Sequence, residues 1–296
     1  MFRLGHVTDP HFRGWEGARV GQFTGKRAIG AVNLVVNRVR KHKMELLAAL
    51  GDDLRAQAVD HLALTGDLSN ISIEGEWQSA LRWIAGTGFS AQTATVIPGN
   101  HDAYVPDVFE SGRFEQLFGA FQSPDLPRDA GEAYPFVRVR GDVALVGVTS
   151  CVPTGDLGAW GTVGTAQLAR LAAALAAPGL RGKTRVLLIH HPPVKLKGEE
   201  SRNLKDRQAL AETLAKAGAE LVLHGHDHRD ERATVPGPGG RAIPVVGAGS
   251  ASYTGGSEKR SRYNIYEIDG NHITMVTRAH DEASDAFREV RREVIV

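Results

Sequence analysis

The sequence predicts a layered α/β fold, and two observations predict it. Short apolar runs of strand length recur at 2–7, 61–64, 94–97, 143–148, 186–189, 221–223 and 243–246. They are near-continuous in Val, Ile and Leu, as strands buried on both faces are. Helical patterns lie between several of them: Leu46, Leu47, Leu50 and Leu54 within 45–54; Trp77, Leu81 and Ile84 within 74–84; Leu168, Leu171 and Leu175 within 167–175; Leu210 and Leu214 within 204–217. Strands alternating with helices indicate stacked layers of sheet and helix.

The remaining segments read differently. From Ala233 onward the chain is rich in Gly and Pro, then alternates through Tyr263, Ile265 and Ile268 and through Ile273, Met275 and Val276, a pattern expected of antiparallel strands closing a second sheet. The stretch 103–141, rich in Pro, Phe, Asp and Gly, has little periodicity beyond a patch at 114–118 and is expected to be a long irregular insertion beside the site. The stretch 177–184 resembles a phosphate loop, but a helix precedes it and a strand follows, so it reads as a helix-to-strand turn. No repeat or linker is visible, and a single domain over 1–296 is expected.

Composition excludes several classes. With 42% hydrophobic residues the chain can bury a sizeable core, and a formal net charge of +1 argues against a uniformly basic nucleic-acid binder. Cys151 is the sole cysteine, so neither an internal disulfide nor a thiolate zinc cluster can form, and any metal must be held by His, Asp, Glu or Asn. No stretch reaches eighteen apolar residues and the first residues already read as a strand, so the expectation is a cytoplasmic protein without signal or membrane span.

Five of the apolar runs end in polar clusters: Asp9-Pro10-His11, Gly66-Asp67, Gly99-Asn100-His101-Asp102, His190-His191-Pro192-Pro193 and Gly225-His226-Asp227-His228. Ligands bind at the carboxyl ends of parallel strands, so five such ends can converge on one place. Imidazole nitrogen, carboxylate and amide oxygen suit Zn, Fe or Mn. In Asp-x-His and His-x-His, side chains alternating along an extended backbone would point to one side. Glycine before Asp67, Asn100 and His226 permits a sharp turn or a close approach. Asp9, His11, Asp67, Asn100, His190, His226 and His228 are too many ligands for one tetrahedral ion and suit a pair of ions.

The order of these motifs resembles that of the calcineurin-like metallophosphoesterase superfamily, over residues 9–228. The resemblance implies a four-layer α/β/β/α sandwich of two mixed sheets flanked by helices, with two transition-metal ions (Mn, Fe or Zn). It implies that Asp9, His11 and His228 hold one ion, that Asn100, His190 and His226 hold the other, and that Asp67 bridges them. A hydroxide bridging the ions would attack phosphorus in line. His101 would stabilise the transition state or protonate the leaving oxygen, with Asp102 orienting its ring. Purple acid phosphatases carry a Tyr ligand three positions after the bridging Asp, where this chain has Asn70. Ser/Thr protein phosphatases continue Gly-Asp with Val-Asp-Arg-Gly, where this chain has Leu68-Ser69-Asn70. Gly-Asn-His-Asp with His-His-Pro-Pro looks more like the bacterial phosphodiesterases, which include class III cyclic-nucleotide and glycerophosphodiester phosphodiesterases. The expected substrate is therefore a small phosphodiester, with no nucleic-acid partner. The alternative is a lipid-linked pyrophosphate or phospholipid head group, as for UDP-diacylglucosamine pyrophosphatase. A more remote one is a scaffold that has lost its metals.

Other histidines are read as packing or surface residues: His6, His42, His61, His272 and His280. His191 and His224 flank motif positions and are read equally well as packing or as supports for the ligands. Within 26–43, Ile29, Val32, Val36 and Val39 have helical spacing, flanked by Lys26, Arg27, Arg38, Arg40, Lys41 and Lys43. This segment reads either as a basic amphipathic lid with weak membrane-surface contact or as an ordinary helix with a solvated basic face, the second being favoured.

Overall fold

The computed structural model describes residues 1–155, 158–195, 200–255 and 260–296, with the backbone alone at 37, 38 and 200. Among the described residues two six-stranded sheets form. The first runs β13-β12-β11-β1-β2-β3, with β1 (Phe2–Val7), β2 (His61–Thr65), β3 (Ala94–Ile97), β11 (Arg262–Asp269), β12 (His272–Asp281) and β13 (Ala286–Val294). The second runs β4-β5-β6-β7-β9-β8, with β4 (Phe136–Arg140), β5 (Val143–Gly147), β6 (Thr184–Leu188), β7 (Leu221–His224), β8 (Glu231–Pro236) and β9 (Ala242–Gly247). A two-residue strand, β10 (Thr254–Gly255), bridges to Arg260.

The alternation of side chains along each strand decides the layering. Leu4, Ala63, Ile97, Val186, Leu188, Leu221 and Leu223 meet between the sheets. Neighbours on the opposite face of the first sheet, Val7, Leu62 and Leu64, pack under α3 (Met44–Ala56) and α4 (Glu74–Gly86) through Leu47, Leu50, Leu54, Trp77 and Ile84. Leu187, Ile189 and Val222 of the second sheet pack under α7 (Thr165–Leu175) and α8 (Arg207–Ala217) through Leu168, Leu171, Leu210 and Leu214. The result is the expected four-layer α/β/β/α sandwich. The turn at 177–184 is, as expected, a short 3-10 turn, Pro178–Leu180, leading from helix into β6.

Three expectations need correction. The strands after residue 260 close the first sheet, not the second: β11 pairs antiparallel with β1 (Phe2↔Ile268), while β2 pairs parallel on the other side (Leu4↔His61). Because β2 and β3 add on one side only, the other edge of β1 would present unpaired N–H and C=O groups, and β11 satisfies them. Of the strands that begin after residue 230, β8 and β9 are the ones that join the second sheet. The stretch 103–141 is also more ordered than expected. It contains α5 (Pro106–Glu110), α6 (Arg113–Phe118), a 3-10 turn at Gly119–Gln122 and the edge strand β4. Short helices of five or six residues give too little periodicity to be read from sequence. Phe114 and Phe118 nevertheless bury themselves on the core, as that patch suggested.

The segment 26–43 is helical but interrupted: α1 (Gly25–Asn33), a π-turn (Leu34–Arg38) and α2 (Val39–Lys41). The solvated basic face of its favoured reading is present in exposed Arg40, Lys41 and Lys43, but the apolar stripe, which an ordinary helix would turn inward, is exposed as well. Arg27, Gly30 and Leu34 face inward, whereas Ile29, Val32, Val35, Val36 and Val39 are exposed. Arg27 is held inside by Asp107 at 3.2 Å and by the carbonyls of Ile71 and Ser72. The Arg38 side chain lies outside the described residues.

Candidate metal centre

The five polar clusters follow β1, β2, β3, β6 and β7, at the carboxyl ends of strands that run parallel within their sheets. Side chains and backbone tie the two sheets together there. The His190 ring reaches the Thr65 carbonyl at 2.7 Å, and the His226 N–H donates to Asp9 Oδ2 at 3.0 Å. The loops after β1 and β2 zip together through Asp9 N–H to Gly66 O, His11 N–H to Asp67 O and Phe12 N–H to Leu68 O, at 3.1, 3.1 and 2.7 Å.

The side chains converge by a route the motif spacing did not indicate. Asp9, His11, Asp67, His226 and His228 have φ of 50, 47, 53, 79 and 54°. They sit in left-handed turns past the strand ends, so the picture of Asp-x-His and His-x-His on extended backbone is wrong here. Left-handed non-glycine residues cost roughly 1–3 kcal/mol each and concentrate at functional sites. Of the eight such residues described, these are five. Close approach explains two of the flanking glycines. A Cβ at Gly99 would lie 2.1 Å from Asp67 N, and one at Gly225 would lie 1.9 Å from Thr8 Oγ1.

All seven predicted ligands come together. Asp9, His11, Asp67 and His228 offer ligand atoms within 4.8 Å of one another, as do Asp67, His190 and His226. Asp67 belongs to both groups: one carboxylate oxygen lies 3.4 Å from His190 Nε2 and the other 3.8 Å from His11 Nε2. Asn100 Oδ1 joins the second group, 3.1 Å from His190 Nε2 and 2.9 Å from His226 Nδ1.

The hydrogen bonds behind these rings test whether a cation fits. His190 Nδ1 faces the Thr65 carbonyl and His226 Nε2 faces the Arg202 carbonyl at 3.1 Å. A carbonyl only accepts, so those nitrogens carry the protons, and the opposite nitrogens present lone pairs. Two imidazole lone pairs therefore converge on the Asn100 oxygen, another acceptor. In the first group His11 Nδ1 meets the Ser69 carbonyl at 3.0 Å, leaving His11 Nε2 as a lone pair 3.2 Å from His228 Nε2, which itself lies 3.3 Å from Asp9 Oδ1. In the second group, acceptors that face one another with no proton between them are reconciled by a cation, and in the first the His11 lone pair and the carboxylates of Asp9 and Asp67 offer a cation the same kind of donors. Burial, with the neighbouring His191 and His190, pushes His226 well below the usual imidazole range, toward the neutral form that metals require. Burial alone would raise Asp9, but His228, His190 and the Thr8 hydroxyl hold it well below the usual carboxylate range.

His101 stands at the mouth. Its Nδ1 faces the Asn70 carbonyl at 2.6 Å, and its ring stacks on Tyr104 with centroids 5.3 Å apart. Asp102, expected to orient that ring, does something else. Its carboxylate accepts from the N–H groups of Leu68, Ser69 and Gly99, from Ser69 Oγ and from Trp77 Nε1, at 2.9 to 3.1 Å. Asp102 fastens the loops after β2 and β3, and the Asn70 carbonyl orients His101. The Asn70 side chain donates to the His11 and Phe12 carbonyls, so the position of the purple-phosphatase Tyr serves the backbone here.

Three residues were missed or left open. His42, read as packing, is buried beside the first group; its ring centroid is 4.7 Å from that of His11 and 5.5 Å from that of His228. With them it forms a third cluster able to hold an ion. Its Nδ1 pairs with Ser252 Oγ at 2.8 Å. His42→Ala is expected to weaken metal binding by roughly 10–100-fold, the effect of losing a supporting contact on a ligand; competition with a chelator measures it, and unchanged affinity would make His42 a packing residue. Arg202 brings a guanidinium to the pocket, bonded to the His226 carbonyl at 2.8 Å. His191, left open between packing and support, packs on His226 at 4.5 Å and on His190 at 5.1 Å and is itself bonded to Ser150 Oγ and the Ala159 carbonyl. His6 and His61 are core residues bonded to Thr65 and Thr95. The pocket above the groups, about 300 Å³, is lined by Asp67, Asn100, His101, Arg202, His226, Asp227, His228 and Tyr253 among others.

Structural relatives agree with this architecture. A dimetal phosphatase from Danio rerio has 12% identity and a TM-score of 0.64, with 100% of this chain and 98% of that chain covered. A purple acid phosphatase from yellow lupin (Lupinus luteus) seeds has 14% identity and a TM-score of 0.61, with 99% and 53% covered. GAP50, the anchor in the inner membrane complex of Plasmodium, has 11% identity and a TM-score of 0.52, with 99% and 87% covered. At such identities these similarities speak for the fold alone. No curated protein matches the sequence. The family model for calcineurin-like phosphoesterase matches residues 2–230, the span that carries all five motifs, and the chain belongs to that family.

Proposed function

We propose that the protein is a two-metal hydrolase of phosphate esters, with phosphodiesters as its preferred class. The observation that carries this reading is the pair of His/Asp groups that share Asp67, with two imidazole lone pairs of the second converging on the Asn100 oxygen. Asp9, His11, His228 and Asp67 would hold one ion; Asn100, His190, His226 and Asp67 the other. Mn, Fe or Zn suits this donor set. Bound ions would supply an activated water and neutralise charge developing at phosphorus.

The chain's own groups do the rest. Arg202, in the pocket wall, is placed to pair with a phosphoryl oxygen. His101 presents Nε2 toward the pocket, because Nδ1–H is committed to the Asn70 carbonyl, and in its imidazolium form it can donate the Nε2 proton to the leaving oxygen. The wall is open at exposed Ser201 and half-buried Tyr253, which leaves a second ester arm a way out and favours a diester.

A second reading is hydrolysis of a lipid-linked pyrophosphate or a phospholipid head group, favoured by the exposed apolar stripe of α1 and α2. A substrate panel on purified, metal-loaded protein separates the two: bis(p-nitrophenyl) phosphate, the matching monoester, cyclic nucleotides, glycerophosphodiesters and lipid-linked pyrophosphates. The expected result is faster hydrolysis of the diester than of the monoester. A clear preference for the monoester would remove the diester assignment, and inactivity toward every ester would remove the enzymatic reading.

A further inference from the structure

A surface helix of a globular protein ordinarily turns its apolar stripe to the core. Residues 25–41 do the reverse. The inner face is Arg27, Gly30 and Leu34, lying on Ile71 and Tyr104; a Cβ at Gly30 would come within 2.7 Å of both. The outer face carries Ile29, Val32, Val35, Val36 and Val39, which are 51, 65, 61, 56 and 37% exposed. With Trp15 and Val20, this stretch accounts for seven of the eleven large hydrophobic side chains exposed among the described residues. A contiguous apolar patch of this kind marks an interaction site.

Charge indicates what covers it. From Gly17 to Met44 there is no Asp or Glu, although the whole chain carries 34 acidic against 35 basic residues. Seven Lys and Arg fall in that stretch. Lys26 and Arg27 are turned inward, Lys26 to Thr154 and Arg27 to Asp107. Arg19, Arg40, Lys41 and Lys43 are exposed around the apolar stripe. Among the described residues no helix is long and apolar enough to cross a membrane. Glu45, Glu282 and Asp285 come near only at the Val39 and Lys43 end of the stripe, and exposed branched side chains on a segment whose own charges are all cations fit the boundary layer of an anionic bilayer.

We propose that the face formed by Ile29, Val32, Val36 and Val39 docks on an anionic lipid surface, with Arg40, Lys41 and Lys43 pairing with the head groups. Docking there would set the pocket close to the bilayer. Tyr104, under Gly30, stacks on His101, and His42, next after α2, packs on His11 and His228. The inference goes beyond ester hydrolysis as such, and water-soluble substrates report on catalysis independently.

The test is co-sedimentation of the full chain with vesicles rich in phosphatidylglycerol, against phosphatidylcholine alone. The wild type is expected on the anionic vesicles only, and less as salt rises. Val32→Ser with Val36→Ser should weaken binding about tenfold or more. Arg40→Ser, Lys41→Ser and Lys43→Ser together should weaken it about a hundredfold. Hydrolysis of bis(p-nitrophenyl) phosphate should be unchanged in both variants. Failure of the wild type to bind anionic vesicles, or equal binding by the variants, would overturn the proposal. So would a wild-type dimer, seen without lipid by sedimentation, that the Val32→Ser, Val36→Ser variant dissociates, because the stripe would then be covered by a second copy of the chain.

Discussion

Asp67→Asn is expected to lower hydrolysis of every ester by about a thousandfold or more, because pre-organised charge at the reacting centre is the largest single contribution such sites make. The substitution is a narrow one. Asp67 Oδ1 accepts the His101 N–H at 2.8 Å, and an Asn oxygen can keep that bond. What disappears is the negative charge that belongs to both ligand groups. Metal content should fall with activity, while the circular dichroism and melting temperature of the metal-free proteins stay close to wild type. Full activity in Asp67→Asn would mean that the two groups do not act through a shared carboxylate.

His101→Ala should produce the second large effect, a fall in kcat of roughly 10²–10⁴-fold with metal content retained. His101 contacts the centre through its ring edge, 5.1 Å from the His11 centroid, and its ring is oriented by the Asn70 carbonyl and by stacking on Tyr104. If it protonates the leaving oxygen, the loss should shrink for p-nitrophenyl esters, whose leaving group needs little protonation, and grow for alkyl esters. An equal loss across leaving groups would assign His101 to charge stabilisation alone.

Much of the site was legible because each ligand follows a buried strand. The runs ending at Val7, Thr65, Ile97, Leu188 and His224 announce themselves by apolar composition, and the polar residues after them stand out by contrast. The same near-continuous runs announced stacked layers of sheet and helix, whereas the four-layer arrangement of two mixed sheets came from the family resemblance of the motifs and not from the runs themselves. Residues whose role depends on the backbone between motifs were hidden. Asp102 follows His101 and looks like its partner, yet the turn at 99–102 aims its carboxylate at the N–H groups of Leu68 and Ser69. His42 is separated by thirty-one positions from His11 (42 − 11), and only the bend through the π-turn and α2 brings it back to the site. Arg202 ends a three-residue 3-10 turn, Glu200–Arg202, too short to leave a periodic pattern. The stripe of Ile29, Val32, Val36 and Val39 was visible as a helical period, but a period does not say which way a face points. Tyr104 and Ile71 decide that, by leaving room only for Gly30 beneath them.

The claim on which the account depends is that Asp67 joins two ions. Metal-free protein titrated with Mn²⁺ and followed by electron paramagnetic resonance tests it most directly. The account predicts two Mn²⁺ per chain, with spectra showing exchange coupling between them, and loss of that coupling in Asp67→Asn. A stoichiometry that never exceeds one ion per chain, or two ions whose spectra are simply additive, would contradict it.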